Sequence, residues 1–360
     1  MSIRTVVIAH GRDRRRLAAE ACEALGAERF LPRGGTIGLK PNLVVAKPSS
    51  SGATTDPSLA AGVMGYLHDL GWRDFAIMEG SWLGADTREA FRVCGYEEVA
   101  REFGARLVDL KREPAEKIGA GGMEIEVARA ARAVDALIDL PVLKAHCQTK
   151  LTCALKNLKG CIPDREKRRF HALGLHRPIA ALACALPVAL VVVDAVEGDL
   201  TFEEGGNPAA MDRILAGRDP VLVDACAAEM IGYSPREVDY IDLAAELGAG
   251  LADPSLAEIV ELGAGSRTLA SVAEGGLARS LARRVDARDA CSACYSSILH
   301  ALARMGDGKV RDGGARIRVG QGFRGLSGSG PGVGDCTAGF SPHLAGCPPT
   351  ARSIREFLEK

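Results

Sequence analysis

The strongest constraint in this chain is an alternation of short, mainly apolar runs with stretches of helical period. Arg4–Ala9, Thr36–Leu39, Asp74–Met78, Ala105–Leu110, Ala133–Leu140, Val188–Val193 and Pro220–Val223 read as strands. Most lack an alternating polar face, as strands do when a sheet is covered on both sides. Asp13–Leu25, Pro57–Leu70, Tyr96–Phe103 and Pro235–Leu247 read as helices between them. This order predicts an α/β fold, a sandwich with a largely parallel sheet. Ligands in such folds bind where strands end and loops begin. LysProAsn at 40–42, GluGlySer at 79–81, LysAlaHis at 144–146 and Asp194 all fall at such ends.

The pattern changes after about residue 255 of the 360. A chain of this length accommodates two domains. The sequence predicts an α/β substrate-binding domain over 1–255 and a linker and helix over 256–285, with Gly263–Ala273 as the linker and Leu277–Val285 as the helix. A C-terminal cysteine region follows over 286–360, with a short strand at Arg316–Val319 and a glycine-rich run, Gly320–Gly334. The longest apolar stretch, Pro178–Val193, is broken by Pro187 and is shorter than the roughly 20 residues of a membrane span. It reads as a helix opening on Pro178, followed by a strand. The first residues, MetSerIleArgThrValValIleAlaHis, are strand-like and not a secretory leader, so a cytoplasmic protein is expected. Lys+Arg 45 against Asp+Glu 46, net −1, argues against a surface devoted to nucleic acid or membrane.

Eleven cysteines are an odd number and unusually many. Without a secretory leader they fit a reducing compartment with a thiolate metal site better than a disulfide framework. Four stand apart: Cys291-x2-Cys294, Cys336 and Cys347, with gaps of 2, 41 and 10 residues. Thiolates bind soft and borderline metals, and a two-residue gap lets two sulfurs grip one centre. The CysPro at 347–348 and the bare backbone N–H groups of Gly328–Gly334 favour a 4Fe–4S cluster, with zinc as the alternative. Cys22, Cys94, Cys184 and Cys226 lie among Ala, Leu and Val and read as core thiols. Arg324 and His343 read as solvated surface groups.

Residues 144–177 hold nine Lys or Arg against two acids, +7 in 34 residues. Lys144 and His146 directly follow an apolar strand. Thr149, Thr152, Lys156 and Asn157 share one face of a helix if the segment is helical, and His171 follows the basic loop. This pattern predicts a pocket for a small anionic substrate, or a dock for an acidic electron-transfer protein. Phe170 is the only aromatic residue in the segment, which argues against RNA. Lys144, His146 and His171 are candidates for proton transfer. Lys40, Asn42, Lys144, Lys156 and Asn157 are candidates for holding the anion, and Glu79, Asp194 and Asp224 for orienting the others or binding a cation. Thr54 and Thr55 lie just before Asp56–Pro57. They could form an anion site at a helix N-terminus, or belong to a plain capped helix. Cys147, Cys153 and Cys161 read as thiols lining the cavity, or as a second thiolate site. GlyGlyThrIleGly at 34–38 is not a dinucleotide fingerprint, so no flavin or nicotinamide is implied.

LysProAsn (40–42), ThrThrAspPro (54–57), GluGly (79–80), the string LysAlaHisCysGlnThrLysLeuThrCysAlaLeuLysAsnLeuLysGly (144–160), His171, Asp194 and AspProValLeuValAsp (219–224) together resemble the family catalogued as domain of unknown function 362. The resemblance spans roughly residues 35–250. It implies an α/β fold and C-terminal iron–sulfur ligands, and no particular reaction. Many relatives end in a ferredoxin-like segment with close-set cysteines; here the wider spacing of Cys291, Cys294, Cys336 and Cys347 replaces it. The resulting expectation is an iron–sulfur redox enzyme acting on a small anion held in a Lys/His pocket. The alternatives are a non-redox isomerase or lyase, and a non-enzymatic electron carrier or cluster-assembly factor.

Overall fold

Four of the helices begin where an aspartate supplies a cap. Asp13, Asp56, Asp86 and Asp219 each accept a backbone N–H from the first turn that follows, satisfying donors that a helix leaves open at its start. The computed structural model describes residues 1–146, 148–200, 203–264, 281–290, 292–305 and 316–359. These fall into two compact units, Met1–Arg168 with Leu175–Ala273, and Arg169–Gly174 with Glu274–Lys360.

The strands of the first unit are β1 (Thr5–His10), β2 (Ile37–Pro41), β3 (Phe75–Glu79), β4 (Arg106–Asp109), β5 (Ala115–Ala120), β6 (Met123–Ala128), β7 (Ala136–Leu140), β8 (Lys144–His146), β9 (Lys150–Thr152), β10 (Leu190–Asp199), β11 (Pro208–Gly217) and β12 (Glu258–Leu262). Its helices begin with α1 (Arg14–Leu25), α2 (Pro57–Asp69), α3 (Thr87–Val93), α4 (Tyr96–Phe103) and α5 (Arg129–Arg132). They continue with α6 (Ala154–Asn157), α7 (Asp164–Leu173), α8 (His176–Ala185), α9 (Pro220–Met230) and α10 (Asp239–Glu246). Eight strands form one sheet in the order β12-β1-β11-β10-β7-β2-β3-β4. Only β11 runs against its neighbours, so the mixed α/β fold with a largely parallel sheet is the one the alternation implied. Leu39, Ile77, Ile138, Val192 and Ile214 of the sheet pack with Leu17, Ala21, Leu59 and Met64 of α1 and α2 in one buried core.

In the second unit, β13 (Val285–Ala287), β14 (Ile317–Val319), β15 (Gly328–Val333) and β16 (Phe340–Leu344) make a parallel four-stranded sheet, accompanied by α11 (Ser292–Met305) and α12 (Ala351–Leu358). Among the described residues no helix is long and apolar enough to cross a membrane.

Several expectations need correction. Pro220–Val223 is the first turn of α9, not a strand. Asp219 caps it, Pro220 holds its first position and its apolar residues are buried on a helix, where a short apolar run looks the same as a strand. Pro178 lies inside α8, which starts at His176. Glu258–Leu262, assigned to a linker, is the half-exposed edge strand β12. Val285, the last residue of the expected helix, opens β13; residues 277–280 lie outside the described residues, as does most of Gly263–Ala273. Gly328–Val333 is a strand and not an open loop.

Helices α1 and α2 approach so closely that a Cβ on Gly62 would lie 2.2 Å from the carbonyl oxygen of Arg15. Gly62→Val therefore forces the two helices apart. We expect a loss of about 1–3 kcal/mol, read as a lower urea midpoint at an unchanged slope.

Candidate functional site

Parallel strands put their carboxyl ends on one side of a sheet, and here those ends carry charge. Lys40, next to last in β2, lies opposite Asp139 of β7, and Glu79 ends β3. Lys40 Nζ donates to Glu79 Oε2 at 2.9 Å, to the Pro41 carbonyl at 2.7 Å and to Asn157 Oδ1 at 3.2 Å. Glu79 also accepts the backbone N–H of Leu43 and of Gly80. The pair is buried. It fits beneath Gly160 because a Cβ there would lie 2.0 Å from Glu79 Oε1.

Asn157 is the hub of this network. Its Nδ2 donates to the Lys40 carbonyl and to Asp139 Oδ1, and its Oδ1 accepts from Lys40 Nζ and from Asn42 Nδ2. Burial pushes the Asp139 carboxyl well above the ordinary carboxylate range, against the pull of Lys40. Asn42 in turn offers Oδ1 to Lys144 Nζ at 3.3 Å.

Lys144 is fully buried. Its amine has three oxygen acceptors: Asn42 Oδ1, the Ala53 carbonyl at 2.6 Å and the Glu203 carbonyl at 2.9 Å. Burial, with Lys156 nearby, lowers its pKa to about 7, against the attraction of Glu203. His146 Nδ1 accepts the backbone N–H groups of Gln148 and Thr149. When the ring is neutral, the proton is therefore on Nε2, which faces Glu203 Oε2 at 2.7 Å. Burial and the cations of Lys156 and Lys159 bring the imidazole down to about 4. The lowered value favours the neutral ring near pH 7, an N–H donor to Glu203, while burial brings the Lys144 amine close to neutrality.

Lys156 Nζ donates to Thr152 Oγ1 at 3.0 Å and to Glu203 Oε1 at 2.6 Å. Burial alone would raise the Glu203 pKa, but His146, Lys156 and Lys144 hold it well below the ordinary range. Glu203 was not among the expected site residues. It lies in the connection between β10 and β11, where the sequence shows no period or motif, and its only possible signal was that buried cations require a counter-anion.

Thr149 and Thr152 do not share a helix face with Lys156 and Asn157, because β8 and β9 form a short hairpin and α6 begins only at Ala154. Asp224 reaches across from α9 to accept the N–H groups of Ala154 and Leu155 at the start of α6. Burial raises its pKa to about 7. Thr54 and Thr55 donate to the carbonyls of Lys47 and Leu140, and Asp56 caps α2. The capped-helix reading therefore holds at 54–57, and the anion reading gives way, since a carboxylate already occupies that terminus. Asp194 binds Arg14 Nε through both oxygens and accepts the N–H groups of Asp56 and Val196. It clamps α1 and α2 to β10. His171 lies on α7, half-exposed, within the residues that cluster with the C-terminal unit. Cys153 and Cys161 are buried, and burial pushes their thiols up, Cys161 to about 12. Cys147 lies outside the described residues.

Three of the four expected ligands, Cys294, Cys336 and Cys347, lie among the described residues of the C-terminal unit. Cys294 Sγ lies 3.7 Å from where a Cβ on Gly334 would be, and Cys336 sits two residues beyond Gly334. Asp335 exchanges hydrogen bonds with Gly346, the neighbour of Cys347. Arg324 is exposed, as expected of a solvated group, and its Nε donates to Cys336 Sγ at 3.4 Å; His343 is half-buried, with Nε2 3.2 Å from the Gly334 carbonyl. Cys291 lies outside the described residues, among which no group of three or more metal-binding side chains is within reach of one ion.

Residues 37–229 match the family described as Domain of unknown function (DUF362). The chain belongs to this family. The match runs from the start of β2 to the last turn of α9 and holds the whole Lys40–Glu203 network. A thylakoid-associated protein of Synechocystis sp. is 24% identical over 243 residues, 65% of this chain and 74% of that protein. The lactate racemase apoprotein of Thermoanaerobacterium thermosaccharolyticum superposes with a TM-score of 0.40 at 13% identity, over 66% of this chain and 58% of that one.

Lys144 makes folding stability pH-dependent with a definite sign. Its pKa falls from 10.5 to about 7 on folding, so between these values the unfolded chain holds a proton that the folded chain has released. The lysine therefore makes stability rise with pH across that window. Lys144→Met removes a slope of up to about 1.4 kcal/mol per pH unit, measurable as urea-unfolding free energies at pH 7.5 and 9.5. An unchanged slope would show that Lys144 keeps an ordinary pKa.

Proposed function

We propose that this DUF362 member is an enzyme acting on a small anionic substrate at the carboxyl edge of the main sheet, with Lys144 as its proton-transfer group. The observation that carries this reading is the grouping of the buried Lys144 amine, held only by amide and peptide oxygens, with two further donors, His146 Nε2 and Lys156 Nζ, that already hold a carboxylate; burial brings that amine to about 7. An ideal acid–base group has a pKa near the working pH. Asn42, oriented through Asn157 and Asp139, presents an acceptor to the Lys144 amine. His146, its tautomer fixed by two backbone N–H groups, donates to the anion without gaining or losing a proton at neutral pH.

Proton transfer at a substrate carbon has a signature that does not require the product to be known. Small hydroxy and keto acids incubated in D2O should exchange a carbon-bound proton in the presence of the protein, as seen by NMR. Lys144→Met should reduce that exchange at least 100-fold with the circular dichroism unchanged. A variant that exchanges like the wild type would remove Lys144 from the reaction.

A redox version of this reading has its own support in the contact of Arg324 Nε with Cys336 Sγ and in Cys294 lying beside Gly334, two residues before Cys336. With Cys291 and Cys347 these two cysteines would hold a 4Fe–4S cluster, or zinc in the alternative. One-electron transfer is the chemistry such a cluster supplies when bound. A reducing, cytoplasmic setting belongs to the same proposal and suits the free buried thiols of Cys22, Cys94, Cys153 and Cys161. Protein purified anaerobically should be brown, with iron and sulfide in equal amounts, and Cys336→Ser should bleach it. A colourless protein holding zinc would leave the proton-transfer reading without electron transfer.

A further inference from the structure

Glu203 is the residue that covers the cationic centre. Its carboxylate bridges His146 Nε2 at 2.7 Å and Lys156 Nζ at 2.6 Å, and its own backbone carbonyl accepts Lys144 Nζ at 2.9 Å. One residue thus occupies all three of the donors assigned above to substrate. The donors are fixed: His146 and Lys156 are 2% and 3% exposed and sit on β8 and α6, whereas the Glu203 side chain is 30% exposed and sits on the connection between β10 and β11. Two residues later the connection passes through Gly205 and Gly206, both at positive φ, where glycine permits backbone changes that other residues resist.

The physical argument concerns charge. If the carboxylate were withdrawn with nothing replacing it, Lys144 and Lys156 would face each other in a buried site, which is strongly unfavourable. Glu203 can therefore leave only in exchange for another anion. The geometry left behind, an imidazole N–H and an ammonium on the two oxygens of one carboxylate, is set for a carboxylate in particular.

We propose that the position of the Glu203 carboxylate is the substrate carboxylate subsite, and that Glu203 is a built-in competitor displaced when a small carboxylate binds. This deepens the reading under Proposed function and rests on it for the word substrate; the binding claim stands alone. Displacement uncovers the Lys144 amine at the same moment, so it becomes available only when the anion is in place. A tethered carboxylate competes at an effective concentration on the order of millimolar, so a free carboxylate should bind weakly to the wild type and more tightly once the tether loses its charge.

The test is calorimetric titration of wild type, Glu203→Ala and Glu203→Gln with sodium acetate at pH 7.5, with sodium chloride at matched ionic strength as control. Acetate should bind Glu203→Ala at least tenfold more tightly than wild type and should raise its melting temperature, with chloride doing neither. Should the alanine variant fail to fold, the isosteric glutamine variant carries the same comparison, again with tighter acetate binding than wild type. In the wild type, saturating acetate should shift the nitrogen resonance of His146 Nε2. Acetate binding no tighter to the folded variants than to wild type, or chloride matching acetate, would overturn the proposal. Acetate binding at this position without proton exchange on any acid would overturn the catalytic reading alone, and exchange without acetate binding would overturn only this inference.

Discussion

An amine removed from water must be surrounded by oxygen, and most of the geometry below the sheet edge follows from that requirement. Lys40, Lys144, Lys156 and Lys167 are all buried. Their acceptors come from the chain just after β2, the carboxyl end of β3 and the turn that follows it, the segment before α2, β9, α6 and the connection after β10. Each loop is held where a carbonyl or carboxylate is needed by an ammonium. Glycine is demanded at the same places: Gly80 and Gly160 let the backbones meet over the Lys40–Glu79 pair, where a Cβ on Gly80 would lie 2.5 Å from the Gly160 carbonyl oxygen.

Lysines in this one network meet different oxygens and so do different things. Lys40 meets a carboxylate face to face, a buried pair whose rupture costs about 3–5 kcal/mol, and it reads as a structural rivet between β2 and β3. Lys144 bonds only to amide and peptide oxygens. Burial therefore tells more heavily on its charge and brings the amine to about 7. The directional chain from Asp139 through Asn157 and Asn42 to Lys144 fixes both amide groups, since each can satisfy its neighbours in one orientation only.

The parts of this architecture written in local pattern were legible. The strands at 37–41, 75–79 and 136–140 are apolar runs between breakers, and the helices after Asp13 and Asp56 announce themselves by cap and period. The charge of 144–177 was legible as well, as were most residues of the Lys/Asn/Glu network, because they cluster at strand ends. What failed was whatever depended on a distant partner. Pro220–Val223 could not be told from a strand, because burial on all sides erases periodicity. Thr149 and Thr152 were placed on a helix because the hairpin of β8 and β9 is too short to show alternation. Asp194 looked like a ligand because nothing in its neighbourhood points to Arg14, 180 residues earlier. Glu203 was silent for the same reason.

The clamp at Asp194 has a consequence for how this family's shared segment is viewed. The matched residues begin at 37, yet the guanidinium that neutralises Asp194 comes from α1, and β1 lies between β11 and β12 in the sheet. Cut to the shared segment, the chain would present β11 as a bare edge, a template for pairing with other chains, and would bury an aspartate with no cation. What is inherited in common is therefore smaller than what can fold: the shared segment carries the chemistry, and it needs an N-terminal strand and helix to close it.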